Sequence, residues 1–367
     1  MNRRIQIGKP TCNPASRKLL LEAFDSQCLS EGEYTHQLEQ ELSKAYSKKA
    51  ILVNSGHSAL LVGLTATRLV YGYHRVATTA LTFISTVSAA LEAGYEVDCY
   101  DLEEDSLNVD LPIDLPPDSL RLPVALFGYP ASITHCGTFL DACEAVGTKV
   151  YGVPHGSELG IETTALSFYT SHVLGGGELG VVLTSNPEIE KLVRSLKDQG
   201  RYHIRPSDHV TAPWVIDPEE RYRHSRLGWN FRTTDLQAAV ILGAWPSLYS
   251  VVLHRQANVK TLNELLENNH LILPKLCYNV SYLGYPILCD TPELRNKLLH
   301  GLDRAGIETR PLMSLIPEEE ATRNQVSTPV GYARAKSCYD KGFYISCHES
   351  LSYDDLVYVS EQIQELM

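Results

Sequence analysis

Short apolar runs alternate with helix-like segments over the first half of the chain, and this alternation is the strongest constraint on its fold. Strands are expected at residues 50–54, 75–80, 96–101, 122–127, 149–153, 165–169 and 180–184. Helical periodicity lies between them at 34–46, where Leu38, Leu42 and Tyr46 share one stripe, and at 58–70, 83–93, 139–146 and 187–199. Strands that alternate with helices pair in parallel, so the expected architecture is an α/β domain around a mainly parallel seven-stranded sheet.

After Asp217 the pattern changes. A long helical segment at 233–267, interrupted at Pro246, leads into a strand at 282–289, a helix at 292–305, a strand at 343–347 and a helix at 353–366. The chain therefore divides near residue 240, into a large domain (1–240) and a smaller C-terminal α+β domain (241–367). With 367 residues, 44% of them hydrophobic, both have enough material for a core. Four prolines within 111–123 mark a surface excursion of the large domain, not a boundary.

Against 32 Lys and Arg stand 44 Asp and Glu, a formal charge of −12. Such a field repels phosphate polymers and anionic membranes, which argues against nucleic-acid or membrane partners. The first residues carry two arginines without an apolar run behind them, and the most apolar window, 238–253, contains Pro246 and serines. No membrane span is expected. Nine scattered cysteines, with no C-x-x-C pair, describe a reduced, cytoplasmic, metal-free protein whose thiols are small buried hydrophobes.

Three segments carry chemistry. At 50–60, AILVNSGHSAL is a strand running through a small-residue turn into a helix, where free amides and Gly56 offer a seat for phosphate. At 165–182, ALSFYTSHVLGGGELGVV puts Ser167 and His172 at the carboxyl edge of a sheet, the usual place for an α/β ligand. At 226–239, RLGWNFRTTDLQAA places Asn230 and Arg232 in a loop before a helix that Thr233 or Thr234 caps. Neither G-x-G-x-x-G nor a Walker loop is present.

Together with ATTALTFISTVSAALEAG, LPVALFGYPA and GIETRP, these segments in this order resemble the DegT/StrS-type sugar aminotransferases, pyridoxal-phosphate proteins of fold type I that act on nucleotide-linked keto sugars. The resemblance implies that the amides of His57 and Ser58, after Gly56, hold a cofactor phosphate with the Ser167 hydroxyl. Phe83 would lie on the pyridine face, and Asn230 would reach the phosphate site of the neighbouring subunit in a homodimer with shared sites. Arg201, Arg232 and Arg310 are the candidate substrate cations.

Ordinary members carry a lysine where this chain has His172, and that lysine forms the Schiff base of transamination. One branch has histidine there: the keto-sugar 3-dehydratases of deoxysugar and surface-polysaccharide biosynthesis, which hold pyridoxamine phosphate (PMP) without a covalent bond and use the histidine as base. Dehydratases that need an iron–sulfur cluster have a cysteine-rich insertion, whereas residues 201–218 contain no cysteine. The family also expects an acidic partner for the pyridine nitrogen after strand 149–153. Val153 or Pro154 falls there, with His155 and Glu158 as nearby substitutes, and the connection from Gly160 to Ala165 is short. Three functions follow: a 3-dehydratase using non-covalent PMP or pyridoxal phosphate (PLP), a sugar aminotransferase, or a cofactor-free pseudoenzyme or scaffold.

Overall fold

The computed structural model describes residues 4–104, 106–133, 135–202, 222–267 and 270–367. Its large sheet is built from β1 (Lys49–Val53), β2 (Arg75–Thr79), β3 (Glu96–Tyr100), β4 (Ser119–Arg121), β5 (Thr138–Asp141), β6 (Ile161–Ser167) and β7 (Gly180–Thr184). Two ladders, β3-β2-β4 and β5-β6-β7-β1, are joined where the chain beyond β4 meets β5: Val124 bridges Asp141, and the Asp141 and Ala125 amides donate to Pro123 and Asp141 carbonyls at 3.0 and 2.9 Å. Every pairing is parallel except those of β7, which is antiparallel to both neighbours. Val326–Ser327 adds a short parallel edge to β3.

Helices cover both faces. On one, α3 (Gly56–Tyr71), α4 (Ile84–Glu92) and α5 (Pro187–Lys197) pack over a core that includes Ile51, Val62, Val76 and Val182. On the other, α2 (Glu33–Tyr46) buries Leu38, Leu42 and Tyr46 against Leu52, Leu140 and Leu183, with α6 (Asp235–Ala244) beside it and α1 (Pro14–Asp25) packed on α6. The α2 stripe faces the core as its spacing requires. Asp235, 1% exposed, fixes the entry to α2 by accepting from the amides of Gly32, Tyr34 and Thr35.

Three expected elements differ. The strand expected at 122–127 holds only the Val124 bridge and the start of a 3-10 turn, and the strand that pairs with β2 lies just before it at Ser119–Arg121. The segment expected as a helix at 139–146 is strand β5 followed by a turn. Its four residues are buried on both faces, as in a central parallel strand, so the apolar run carries no alternation to tell it from a helix. The strand expected at 149–153 is half of a small hairpin, Lys149–Val150 against Val153–Pro154, outside the large sheet. Seven strands remain, with different membership. Residues expected as a short connection after Gly160 begin strand β6, and in the crossover into β5, among the described residues of 125–137, there is only a 3-10 turn, Leu126–Gly128, where parallel crossovers ordinarily run through an α-helix.

Beyond α6, Pro246 sits in a 3-10 turn that leads into α7 (Leu248–Leu265). A second antiparallel sheet, Leu271–Ile272, Tyr285–Cys289, Gly342–Ile345 and Arg310–Pro311 in spatial order, packs with α7, α8 (Pro292–Arg304) and α10 (Tyr353–Leu366) around Tyr282, Ile287, Phe343 and Ile363. The stretch 235–265 is long and apolar enough to cross a membrane, contrary to the sequence expectation. Within it Ala238, Ile241, Ala244, Val259 and Leu262 join the cores just described, while Tyr249 and Leu253 are exposed.

Candidate active site

The carboxyl ends of β5 and β6 and the start of α3 meet at one point. Ser55 caps α3, its Oγ accepting from the Ser58 amide at 3.1 Å, and the Ser58 hydroxyl donates to Asn54 Oδ1 at 2.6 Å. By helix geometry the amides of Gly56 and His57 have no acceptor within α3, so they are the donors left for an anion. Gly56 is required by crowding: a Cβ there would lie 2.8 Å from Ser167 Cβ and 3.1 Å from Cys143 Sγ. Ser167, 5% exposed, therefore faces the helix start directly. Gly180 permits the same approach from β7, since a Cβ on it would lie 2.0 Å from the Ser55 carbonyl.

Asp141, at the end of β5, is the residue that sequence reasoning missed. It is 4% exposed; Oδ2 accepts from Thr86 Oγ1 at 2.8 Å and Oδ1 from the Cys143 amide at 3.1 Å. Burial raises its pKa, and the two hydrogen bonds work against that shift. Thr86 is one turn along α4 from Phe83, so both lie on the same helix face. Phe83 is the N-cap residue of α4 and is 58% exposed.

His172 closes the far side. The half-buried ring turns Nδ1 toward the Ser167 carbonyl at 3.4 Å and meets the Tyr169 ring edge-on at 5.7 Å between centroids. Burial pushes its pKa down to about 4, with the Arg255 charge adding to the shift and the Ser167 and Cys143 carbonyls opposing it. At neutral pH the ring is uncharged, and a proton on Nδ1 facing a carbonyl leaves Nε2 as the basic atom. Cys143, partly buried beside Asp141, has its thiol pushed well above the ordinary range by desolvation and the neighbouring carboxylate, which disfavours the thiolate.

The other predicted residues fall into separate groups. The His57 ring lies 3.8 Å from Glu92, at the end of α4 remote from Thr86, so its backbone and not its side chain belongs to the anion seat. Arg201 and Arg232 both pair with Asp198, Arg201 through Nε at 3.3 Å. Exposed Asn230 bridges the same Asp198 through its backbone. Arg310 pairs with Glu308 at 2.6 Å, and the Tyr169 and Tyr344 hydroxyls act on its ionisation. His155 and Glu158 do not replace an aspartate: His155 Nδ1 lies 2.6 Å from Glu158, and its Nε2 accepts from the Ala131 amide at 3.0 Å. Thr234, not Thr233, caps α6. Most of the cysteine-free stretch 201–218 lies outside the described residues. A cavity of about 740 Å³ between Leu107, Tyr129, Ile272 and Arg334 includes none of the predicted residues.

The start of α3, Ser167, Asp141 and the His172 ring thus stand near one another, and the chain also matches a known family. The pattern of the DegT/DnrJ/EryC1/StrS aminotransferase family fits residues 11–113 and 137–364. The chain belongs to that family. Residues 114–136, left out of the match, contain most of the crossover into β5. Relatives in the family include dTDP-4-dehydro-2,6-dideoxy-D-glucose 3-dehydratase of Saccharopolyspora spinosa, 27% identical over 96% of this chain and 84% of that protein. Among solved structures, the E. coli GDP-4-keto-6-deoxy-D-mannose-3-dehydratase with bound hydrated PLP superposes with a TM-score of 0.86 at 20% identity, covering 98% of this chain and all of the other. Helicobacter pylori PseC, an aminotransferase involved in the biosynthesis of pseudoaminic acid, does so with 0.87 at 19% identity, covering 99% of each. These likenesses establish a fold type I pyridoxal-phosphate architecture.

Proposed function

We propose that this protein is a 3-dehydratase of a nucleotide-linked 4-keto sugar that holds PMP or PLP non-covalently and uses His172 as its base. The observation that carries the reading is an imidazole, neutral by burial, in a pocket that also holds a phosphate seat and a buried carboxylate. An imidazole forms no stable Schiff base, which disfavours the aminotransferase. The case for a cofactor-free homologue rests on the absence of both the lysine and the aspartate, and Asp141, a buried carboxylate near Thr86 and Cys143, supports the cofactor-binding reading on the second count.

The residues fit the cofactor: Gly56 leaves a cradle that a methyl group would fill, and Asp141 is a buried carboxylate with only two short local donors. The Gly56 and His57 amides and Ser167 Oγ would hold the phosphate, Phe83 would cover the ring face, and Asp141 would accept from a protonated pyridine nitrogen. When bound as PMP, the cofactor would supply an amine that joins the 4-keto carbon and an electron sink that acidifies its own amine-bearing carbon. His172 would take that proton at Nε2 while its Nδ1–H stays on the Ser167 carbonyl, and the electron pair left behind would expel the neighbouring 3-hydroxyl as water. Of the three arginines, Arg310 is the best placed for substrate, since it shares Tyr169 with His172; Arg201 and Arg232 are held by Asp198.

The same reading makes the protein a homodimer, with exposed Asn230 serving the partner's phosphate seat. Nine unpaired thiols suit a cytoplasmic enzyme. Equilibrium dialysis with PMP, followed by denaturation, tests the cofactor: stoichiometric binding with full release on unfolding supports the proposal, and no binding of PMP or PLP contradicts it. Mass spectrometry of a nucleotide-linked 4-keto-6-deoxy sugar incubated with enzyme, PMP and glutamate should show loss of the 3-hydroxyl rather than gain of a 4-amino group.

A further inference from the structure

Arg255, in the middle of α7, is the largest fully buried side chain among the described residues, and the chemistry above does not use it. A guanidinium is buried at high cost unless its donors are matched. Nη1 donates to the carbonyls of Tyr282 and Leu283 at 3.0 and 3.1 Å, and Nη2 to the carbonyl of His172 at 3.5 Å. Nε lies 3.2 Å from Glu349 Oε2, close as an ion pair though not aligned as a hydrogen bond.

The same network grips the turn after β6 from its other side. Thr11 Oγ1 donates to Glu349 Oε1 at 3.4 Å, and the Thr11 amide donates to the Gly175 carbonyl at 2.8 Å. Gly8 lies so close to this turn that a Cβ would stand 2.8 Å from Ser171. Segments from the N-terminus, α7, the second sheet and residue 349 thus converge on the turn that carries His172.

We propose that Arg255 is a positioning residue for His172: from behind the pocket it ties the backbone of the 167–176 turn to the second sheet, so that the imidazole meets the substrate in one orientation. The inference rests on the reading of His172 as base. Arg255 touches neither substrate nor cofactor. The groups facing His172 are Tyr169 on its own turn and Cys143 beyond β5; those facing Arg255 are Cys347, His348 and Glu349. Arg255 is the one permanent cation among them, and its charge favours the neutral imidazole.

Two variants separate charge from contact. Arg255→Gln keeps amide donors for the carbonyls and removes the charge, whereas Arg255→Lys keeps the charge with fewer donors. In apoprotein carrying ¹⁵N-labelled histidine, the His172 signal is assigned by its loss in His172→Asn. Wild type and Arg255→Lys should keep it neutral from roughly pH 8 to pH 5, while Arg255→Gln should titrate roughly half a unit or more higher. An unshifted titration in folded Arg255→Gln overturns the proposal. If that variant does not fold, Glu349→Gln leaves the arginine in place, and hydrogen exchange reads the turn: roughly tenfold faster exchange in the 167–176 peptide supports the role, and unchanged exchange refutes it. Both readouts use apoprotein, so they stand apart from the dehydratase reading. A shifted titration in a protein that never turns over sugar keeps Arg255's role and defeats the dehydratase; turnover without a shift does the reverse.

Discussion

Replacing Asp141 by asparagine separates the carboxylate's charge from its shape. In the apoprotein the two oxygens accept from Thr86 and the Cys143 amide, and an asparagine keeps one oxygen, so one bond is lost at a cost of about 1 kcal/mol. Burial already disfavours the charged carboxylate, so removing the charge offsets part of that cost. Apoprotein stability should therefore change by less than about 1 kcal/mol. The effect on ligand is larger, because a charge-assisted bond to a pyridinium contributes about 1.5–3 kcal/mol, or roughly tenfold to a hundredfold in affinity. PMP titrations followed by protein fluorescence, alongside thermal melts, measure both quantities. Asp141→Asn binding PMP as tightly as wild type, with Val153→Ala or Pro154→Ala weakened instead, would refute the assignment.

Other expectations follow from the same geometry. Gly56→Ala forces a methyl group to 2.8 Å from Ser167 Cβ and should cost about 1–3 kcal/mol in urea denaturation while abolishing PMP binding. The folded-state pKa of His172, about 4, lies below its ordinary 6.5, so the unfolded chain binds the extra proton between those values. Its contribution is therefore present above pH 6.5 and lost as pH falls toward 4, at most about 3 kcal/mol, and His172→Asn should flatten that limb of stability against pH. Glu144 has the opposite sign: burial pushes its carboxyl up to about 8, so stability falls as pH rises from about 4.5 to 8, and Glu144→Gln should remove the fall. If sites are shared across a dimer, mixing inactive His172→Asn with inactive Asn230→Ala should restore roughly a quarter of wild-type activity after subunit exchange, and no recovery argues for unshared sites.

The fold was largely legible because its signals are redundant. The α2 stripe, the strand–Ser–Gly–helix turn at 53–58, and the Ser352–Asp355 capping box at the start of α10 each state their structure locally. That Gly56, Ser167 and His172 come near one another was legible for the same reason, as each lies at or shortly after the end of a strand. Asp141 was not, because β5 is buried on both faces and its apolar residues imitate a helix stripe. The missing crossover helix then shifted the expected aspartate to the hairpin at Val153 and Pro154. The signal available was an acidic residue ending the apolar run Phe139–Leu140 and followed by small Ala142 and Cys143. Arg255 was invisible for a different reason: its partners are backbone carbonyls and Glu349, far away in sequence, and no spacing rule brings them together.

The central claim is that His172 is the base whose proton removal drives loss of the sugar's 3-hydroxyl, after which C3 takes up a solvent proton. Nuclear magnetic resonance of a nucleotide-linked 4-keto-6-deoxy sugar, incubated in deuterated buffer with the protein and PMP, tests it most directly. The account predicts deuterium at C3 with wild type, dependent on PMP, and at least roughly a hundredfold slower incorporation with His172→Asn at undiminished PMP affinity. Equal incorporation by the two proteins, or none by wild type that has bound PMP, would contradict it.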